Sequence, residues 1–386
     1  MKFNLITLAW ITAFVALHAH SLPLSPHSVT STLLLHGMGF HRSGSLHARQ
    51  EVAMVQDTLS VSIQAFVHLK KSTLIKEILA HISKQHPHIE HSKMEIAMER
   101  MKLFGAIGVP FDKVNLVVDG CGPGKDVALP RTSVKELGVV VASVSLGSCQ
   151  SHILTAHAAN ANAAKIFSSP PTGFGVISDI DDTIKITDVL NHEKMIENTL
   201  YKDPVPVAGM PNLYASLAKS LTMNSIPPQF IYLSGSPFQL FPFLDSFLSS
   251  YFPASLGPLL LHPLSLTDPK EILKSFGDGR EGKIDYKVEQ IKRIYDGIYP
   301  GKFFLAVGDS GESDPEAYGE AFNRFSKSSN KYFIRCIWIH LVDGADNSEE
   351  RFEKAFKGVP DDRILKFSTS EIPRLQNINV AGGKCK

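Results

Sequence analysis

The 386-residue sequence predicts an α/β fold: a mostly parallel, Rossmann-like sheet with helices on both faces. Three observations predict it. Short apolar runs at Phe174–Ile177, Gln229–Leu233, Phe303–Val307 and Tyr332–Val342 have the length and composition of buried strands. Helical patterns around 190–200 and 284–296 separate them, as right-handed crossovers between parallel strands require. The first three runs each end in a polar turn, and in an open α/β sheet ligands gather beyond the carboxyl ends of the strands.

The remaining elements follow in chain order. Lys2, the apolar stretch Leu5–Leu17 and small residues near Ala19–Ser21 read as a signal peptide over 1–21. That places the protein in the secretory pathway or outside the cell, with a cytoplasmic location as the alternative. Residues 22–92 read as a helical N-terminal extension, because Val52, Val55, Leu59, Ile63, Phe66, Leu74 and Ile78 follow helical spacing. Alternating short runs and turn signals over 93–168 suggest a small β-sandwich. Ser168-Ser-Pro-Pro-Thr-Gly173 reads as a linker, 172–345 as the catalytic unit, and 346–386 as a charged helix, a short strand and a loose tail.

The chemistry concentrates at strand ends. Asp179 and Asp181 follow the first run two residues apart, with Thr183 two further on. Clustered carboxylates demand a cation, and Mg²⁺ prefers such oxygen ligands. Ser234 ends the second run in a Gly-containing turn suited to phosphoryl oxygens. Asp309 ends the third run as a further metal ligand, and Asp314 is a second ligand or supporting acid. Lys283 and Lys287 open a helical segment over Tyr286–Ile294, against the macrodipole, which invites a functional role for Lys287 as a phosphoryl clamp. Together these residues form a kit for Mg²⁺-assisted phosphoryl transfer.

This order of motifs resembles the haloacid dehalogenase superfamily. More closely, Ser178-Asp-Ile-Asp-Asp-Thr-Ile-Lys185, Tyr232-Leu-Ser-Gly-Ser-Pro-Phe-Gln-Leu240 and Val307-Gly-Asp-Ser-Gly-Glu-Ser-Asp-Pro-Glu316 resemble the actin-patch-type, Mg²⁺-dependent phosphatidate phosphatase family. Pro206–Tyr214, Lys287-x-x-x-Ile291 and Gly120-Cys-Gly122 fit it too. Two features depart from the pattern: Phe238 stands where the family usually has Trp, and the start of the chain looks secretory. The resemblance implies Asp179 as the nucleophile and Asp181 as the acid that protonates the leaving alkoxide and then activates water. It implies Thr183, Ser234 and Lys287 as phosphoryl holders, and Asp179, the Asp181 main-chain carbonyl and Asp309 as Mg²⁺ ligands. Only the resemblance points to phosphatidate, hydrolysed to diacylglycerol and phosphate. A lipid substrate adds peripheral membrane contact to the expected partners. A phosphatase of a soluble phosphomonoester and a non-catalytic lipid- or protein-binding module are the alternatives.

Other signals are weaker. Gly308-Asp-Ser-Gly311 has the look of a serine-protease loop but continues Glu-Ser, not Gly-Pro. His86, His88 and His91 read as a solvated linker. Phe241, Phe243, Leu244, Phe247, Leu248, Tyr251 and Phe252, then Leu259–Leu261, form an apolar insertion that packs the helix after the second strand; an acyl-receiving rim is the sharper alternative. A net charge of +1 excludes the strongly basic surface of a nucleic-acid binder. The four cysteines allow three full pairings; Cys121 and Cys149 share the β-rich segment and could bridge in an exported protein, while Cys336 reads as a buried thiol and Cys385 as part of the tail.

Overall fold

The computed structural model describes residues 30–42, 58–70, 89–149, 151–262, 280–325 and 332–386, with the pairs 75–76, 79–80 and 83–84 between. The signal-peptide reading, Val52, Val55, Leu74, Ile78, His86 and His88 lie outside these residues.

The second half of the chain is built on a six-stranded sheet. Its strands are β10 (Thr172–Ser178), β11 (Gln229–Pro237), β12 (Leu259–His262), β13 (Gly301–Asp309), β14 (Ile334–His340) and β15 (Ile364–Phe367), in spatial order β12-β11-β10-β13-β14-β15. Every pairing in it is parallel. Both faces are buried, as continuous apolar runs require. Val176, Phe230 and Tyr232 join one core cluster with helices α2 (His192–Leu200), α3 (Met210–Ser220) and α4 (Phe241–Tyr251). Their neighbours Ile177, Ile231 and Leu233 join a second with α5 (Arg280–Arg293), α6 (Asp314–Phe325) and α7 (Glu349–Ala355). Period-two alternation thus sends successive side chains to opposite helical layers.

The first nine strands form a separate mixed sheet: β1 (Ser31–Leu34), β2 (Gly37–Arg42), β3 (Thr58–Lys70), β4 (Ala106–Gly108), β5 (Asn115–Asp119), β6 (Lys125–Ala128), β7 (Val139–Gly147), β8 (Ile153–Ala158) and β9 (Ala164–Ser169). Three of them fall where the sequence reading placed a helical extension, and that reading is corrected. Helix α1 (His91–Arg100) follows them. In β3, Leu59, Val61, Ile63, Ala65 and Val67 fill the core of this sheet, while Phe66 faces the second half of the chain. A strand buried on both faces offers apolar residues at helical spacing by accident, so Leu59, Ile63 and Phe66 mimic a stripe. The linker reading also gives way: Ser168 and Ser169 are buried, and only Pro170 and Pro171 separate β9 from β10. The two sheets are latched by Tyr299 Oη donating to the Gly39 carbonyl at 2.7 Å, His36 Nε2 on Asp245 at 2.9 Å, and Arg100 donating to the Thr199 carbonyl at 3.2 Å.

The C-terminal segment is not loose. β15 extends the parallel sheet, Val380 and Cys385 are buried, and Trp338 Nε1 donates to the Cys385 carbonyl at 2.9 Å. Cys336 and Cys385 are joined as a disulfide across 49 residues, and Cys121 and Cys149 as a second across 28. The buried-thiol reading of Cys336 and the mobile-tail reading of Cys385 are therefore corrected; a pairing between positions so far apart leaves no local pattern. Because the bridge closes a long loop, Cys385→Ser should lower unfolding free energy by about 2–4 kcal/mol in urea titrations, without moving the active-site groups.

Most of the apolar insertion after Ser234 is core: Phe241, Leu244, Phe247, Leu248, Phe252 and Leu259–Leu261 are buried, while Phe243 is half-buried and Tyr251 is exposed. Among the described residues no helix is long and apolar enough to cross a membrane.

Candidate active site

The order of the sheet explains why residues far apart in sequence meet. β10 lies between β11 and β13, and Ser178 pairs with Tyr232 on one side and Val307 on the other. Asp179 therefore leaves the sheet beside Ser234 in the C-terminal half of β11 and the end of β13 that carries Asp309; neighbouring strands sit about 4.8 Å apart. The Asp179 amide donates to the Val307 carbonyl at 2.9 Å, continuing the ladder one residue past the strand.

Asp179, Thr183, Ser234, Lys287, Asp309 and Asp314 are all completely or almost completely buried. Lys287 Nζ donates to Asp179 Oδ1 at 2.9 Å and also bonds Asp314 Oδ1. Thr183 Oγ1 lies 3.3 Å from both Asp179 Oδ2 and Asp309 Oδ2. Asp309 Oδ1 accepts the amides of Gly311 at 2.6 Å and Glu312 at 3.0 Å, which aims its other oxygen at the cluster. Asp314 Oδ2 accepts the Asp309 amide at 3.1 Å. That approach requires glycine at 308, where a Cβ would stand 2.5 Å from the Asp314 side chain.

Asp181 turns to a second set of partners. Its Oδ2 accepts from Ser234 Oγ at 3.1 Å and Ser236 Oγ at 2.8 Å. Its Oδ1 accepts from Thr187 Oγ1 at 2.7 Å and lies 3.1 Å from Lys185 Nζ. Asp181, Ser236, Lys283 and Glu312 line a small cleft, and Val189, Met195 and Pro237 give it apolar walls.

The two proposed catalytic acids sit in opposite electrostatic settings. Burial pushes the Asp179 carboxyl well above the usual range; Lys287 opposes this, while Asp314, Glu312 and Asp181 reinforce it. Burial likewise raises Asp309, with Asp314 and Asp179 adding to the effect. For Asp181 burial also acts upward, yet Lys185, Thr187 and Ser236 outweigh it and hold the carboxyl below its ordinary value. Burial acts to lower Lys287, but Asp179, Asp314 and Glu312 reverse it and keep the ammonium charged.

Several of these groups stand apart from the sequence reading. Lys287 lies in the middle of α5, one turn after Lys283, so it opposes no helix N-terminus. The oxygens that approach one another within 4.8 Å belong to Asp179, Asp309 and Glu312. Asp314, read from sequence as a second ligand or a supporting acid, bonds Lys287 and accepts the Asp309 amide, while Glu312 is the further acid that approaches Asp179 and Asp309. The sequence reading also passed over Lys185, Thr187 and Ser236; Lys185 and Ser236 lie inside the quoted motifs, while nothing local marks Thr187.

The donor set suits a divalent cation. Five carboxylates (Asp179, Asp181, Asp309, Glu312, Asp314) share three ammonium groups (Lys185, Lys283, Lys287), so acids outnumber cations in the cluster. Buried carboxylates whose ionisation is resisted by each other are the setting a hard cation relieves.

Fold and site together define an α/β protein whose adjacent parallel strands converge on a buried acid–lysine cluster. Residues 174–336 match the family described as the phosphatidate phosphatase APP1, catalytic domain. The chain is also similar to the phosphatidate phosphatase APP1 of Saccharomyces cerevisiae, with 33% identity over 183 residues, or 47% of this chain. It spans 29% of that relative's length.

Proposed function

We propose that the chain is a phosphatase of the haloacid dehalogenase type that hydrolyses phosphatidate to diacylglycerol and phosphate. The observation that carries the reading is the convergence of Asp179, Thr183, Lys287 and Asp309 within hydrogen-bond reach at the ends of β10 and β13 and on α5. The similarity to a named phosphatidate phosphatase supports the substrate class.

In this mechanism an Asp179 carboxylate oxygen attacks phosphorus, an acyl phosphate forms and the ester P–O bond breaks. Asp181 delivers a proton to the departing diacylglycerol alkoxide. Asp181 then takes a proton from water as that water attacks phosphorus, freeing phosphate and restoring Asp179. Because Lys185 and its hydroxyl neighbours favour the ionised form of Asp181, this side chain is ready for the second step and must gain a proton for the first. Lys287 neutralises phosphoryl charge and orients Asp179, while Thr183 and Ser234 donate to phosphoryl oxygens. Asp179, Asp309 and Glu312 would hold Mg²⁺, with the Asp181 carbonyl as a further ligand; when bound, the ion spreads the charge developing on phosphorus.

The pairing of all four cysteines supports a location in the secretory pathway, since disulfides persist in oxidising compartments. A lipid substrate makes peripheral contact with a membrane part of the same reading.

Phosphate release tests it. With Mg²⁺ present, the protein should hydrolyse phosphatidate in mixed micelles faster than soluble sugar phosphates, and EDTA should remove at least about 100-fold of that rate. A preference for the soluble esters would overturn the lipid assignment. Full activity in EDTA would overturn the cation.

A further inference from the structure

Between Asp181 and Thr183 the chain passes through a residue in an unusual conformation. Asp182 has φ of +54°, the left-handed region that residues with a Cβ seldom occupy. Its surroundings hold it there. Its side chain accepts the amides of Thr187 at 2.7 Å, Asp188 at 2.8 Å and Val189 at 2.7 Å, and its own amide donates to the Lys185 carbonyl at 2.7 Å.

One polar atom of the residue remains, the main-chain carbonyl, and its partner comes from another strand. His340 Nδ1 lies 2.8 Å from the Asp182 oxygen. A carbonyl can only accept, so Nδ1 carries the hydrogen, and in the neutral ring Nε2 accepts from Thr369 Oγ1 at 2.9 Å. Burial lowers the pKa of His340, although the Asp182 carbonyl and the nearby acids Asp182 and Asp343 act against it. His340 is the last residue of β14 and pairs in register with Asp309. The strand pairing that places Asp309 in the cluster therefore also places the imidazole against the turn.

We propose that His340 and Asp182 are positioning residues for the phosphoryl transfer. The Nδ1–H donor fixes the peptide between Asp182 and Thr183, and the side-chain bonds of Asp182 fix the loop that follows. The left-handed turn then sends Asp181 towards Ser234 and Ser236, and Thr183 towards Asp179 and Asp309. Were the turn to relax to negative φ, the flanking peptides would rotate and the acid would lose its register with the nucleophile. Displacements of about 1 Å cost on the order of 100-fold in rate. The inference rests on the phosphatase reading and adds to it two residues that touch neither substrate nor cation.

Three substitutions separate positioning from support of the fold. His340→Asn keeps an N–H donor near Nδ1 and loses the Thr369 contact. His340→Gln reaches the Nε2 position instead, and His340→Phe keeps only bulk. The expected result, with kcat and KM measured on phosphatidate and melting followed alongside, is a kcat about 10- to 100-fold lower for the Gln and Phe variants at a KM within about twofold of wild type. The Asn variant should recover most of that loss, whatever the order of the melting temperatures. Wild-type kcat in folded His340→Gln, or losses in all three variants that simply track melting temperature, would overturn the proposal. Nitrogen-15 spectra of the wild-type imidazole give a readout independent of activity: a neutral ring with hydrogen on Nδ1 is expected, and hydrogen on Nε2 would overturn the inference. A wild-type protein that releases no phosphate from any ester would end the phosphatase reading, and the spectrum would still decide the hydrogen bond.

Discussion

Asp179→Asn should abolish phosphate release, with a loss of about 10⁴-fold or more, and leave the protein folded. An amide cannot form the acyl phosphate, and removing a nucleophile from a site that works as a unit costs nearly the whole rate enhancement. The prediction for stability is less usual. Asp179 is buried among Asp314, Glu312 and Asp181, and burial itself is the largest force opposing its ionisation. Asparagine has the same shape and no charge, so the substitution removes repulsion while Lys287 keeps its bond to Asp314. The melting temperature should match or exceed that of wild type. Paired rate and melting measurements check both halves, and a variant retaining more than about one hundredth of the wild-type rate would rule Asp179 out as the nucleophile.

Lys287→Met should produce the largest loss of stability among the site variants, about 3–5 kcal/mol, together with loss of activity. Lys287 is the buried cation on which Asp179 and Asp314 both depend, and Glu312 lies 3.8 Å away. Removing one side of a buried ion pair leaves charges that neither water nor a partner compensates. The double variant Lys287→Met/Asp314→Asn should recover part of the deficit, since it removes one of the orphaned carboxylates; residues in one network couple in this way. Urea unfolding of the four proteins of the cycle measures it. A single-variant loss below about 1 kcal/mol, as for an exposed pair, would contradict the buried network.

How much of this was legible depended on whether a local pattern carried it. Asp179, Ser234 and Asp309 could be read because each follows an apolar run, and parallel strands in one sheet bring such ends together. The approach of Glu312 to Asp179 and Asp309 could not be read from spacing, because only the fold of the turn after β13 brings its carboxylate within 4.8 Å of theirs. β3 defeated pattern reading for a different reason: with both faces buried, its apolar residues satisfy helical and strand periods alike. The packing of the C-terminal segment rests on the Cys336–Cys385 bridge and the Trp338 bond to the Cys385 carbonyl, neither of which has a local signature. His340 is likewise invisible in sequence, since its meaning lies in a register with Asp309 and a contact 158 residues away.

The central claim is a covalent phosphoryl group on Asp179. Rapid acid quench during turnover of phosphatidate, followed by peptide mass analysis, tests it directly. A phosphate mass should appear on the peptide that contains Asp179, in the wild-type protein and not in Asp179→Asn. Turnover with no phosphorylated peptide, or with the phosphate on another residue, would contradict the mechanism.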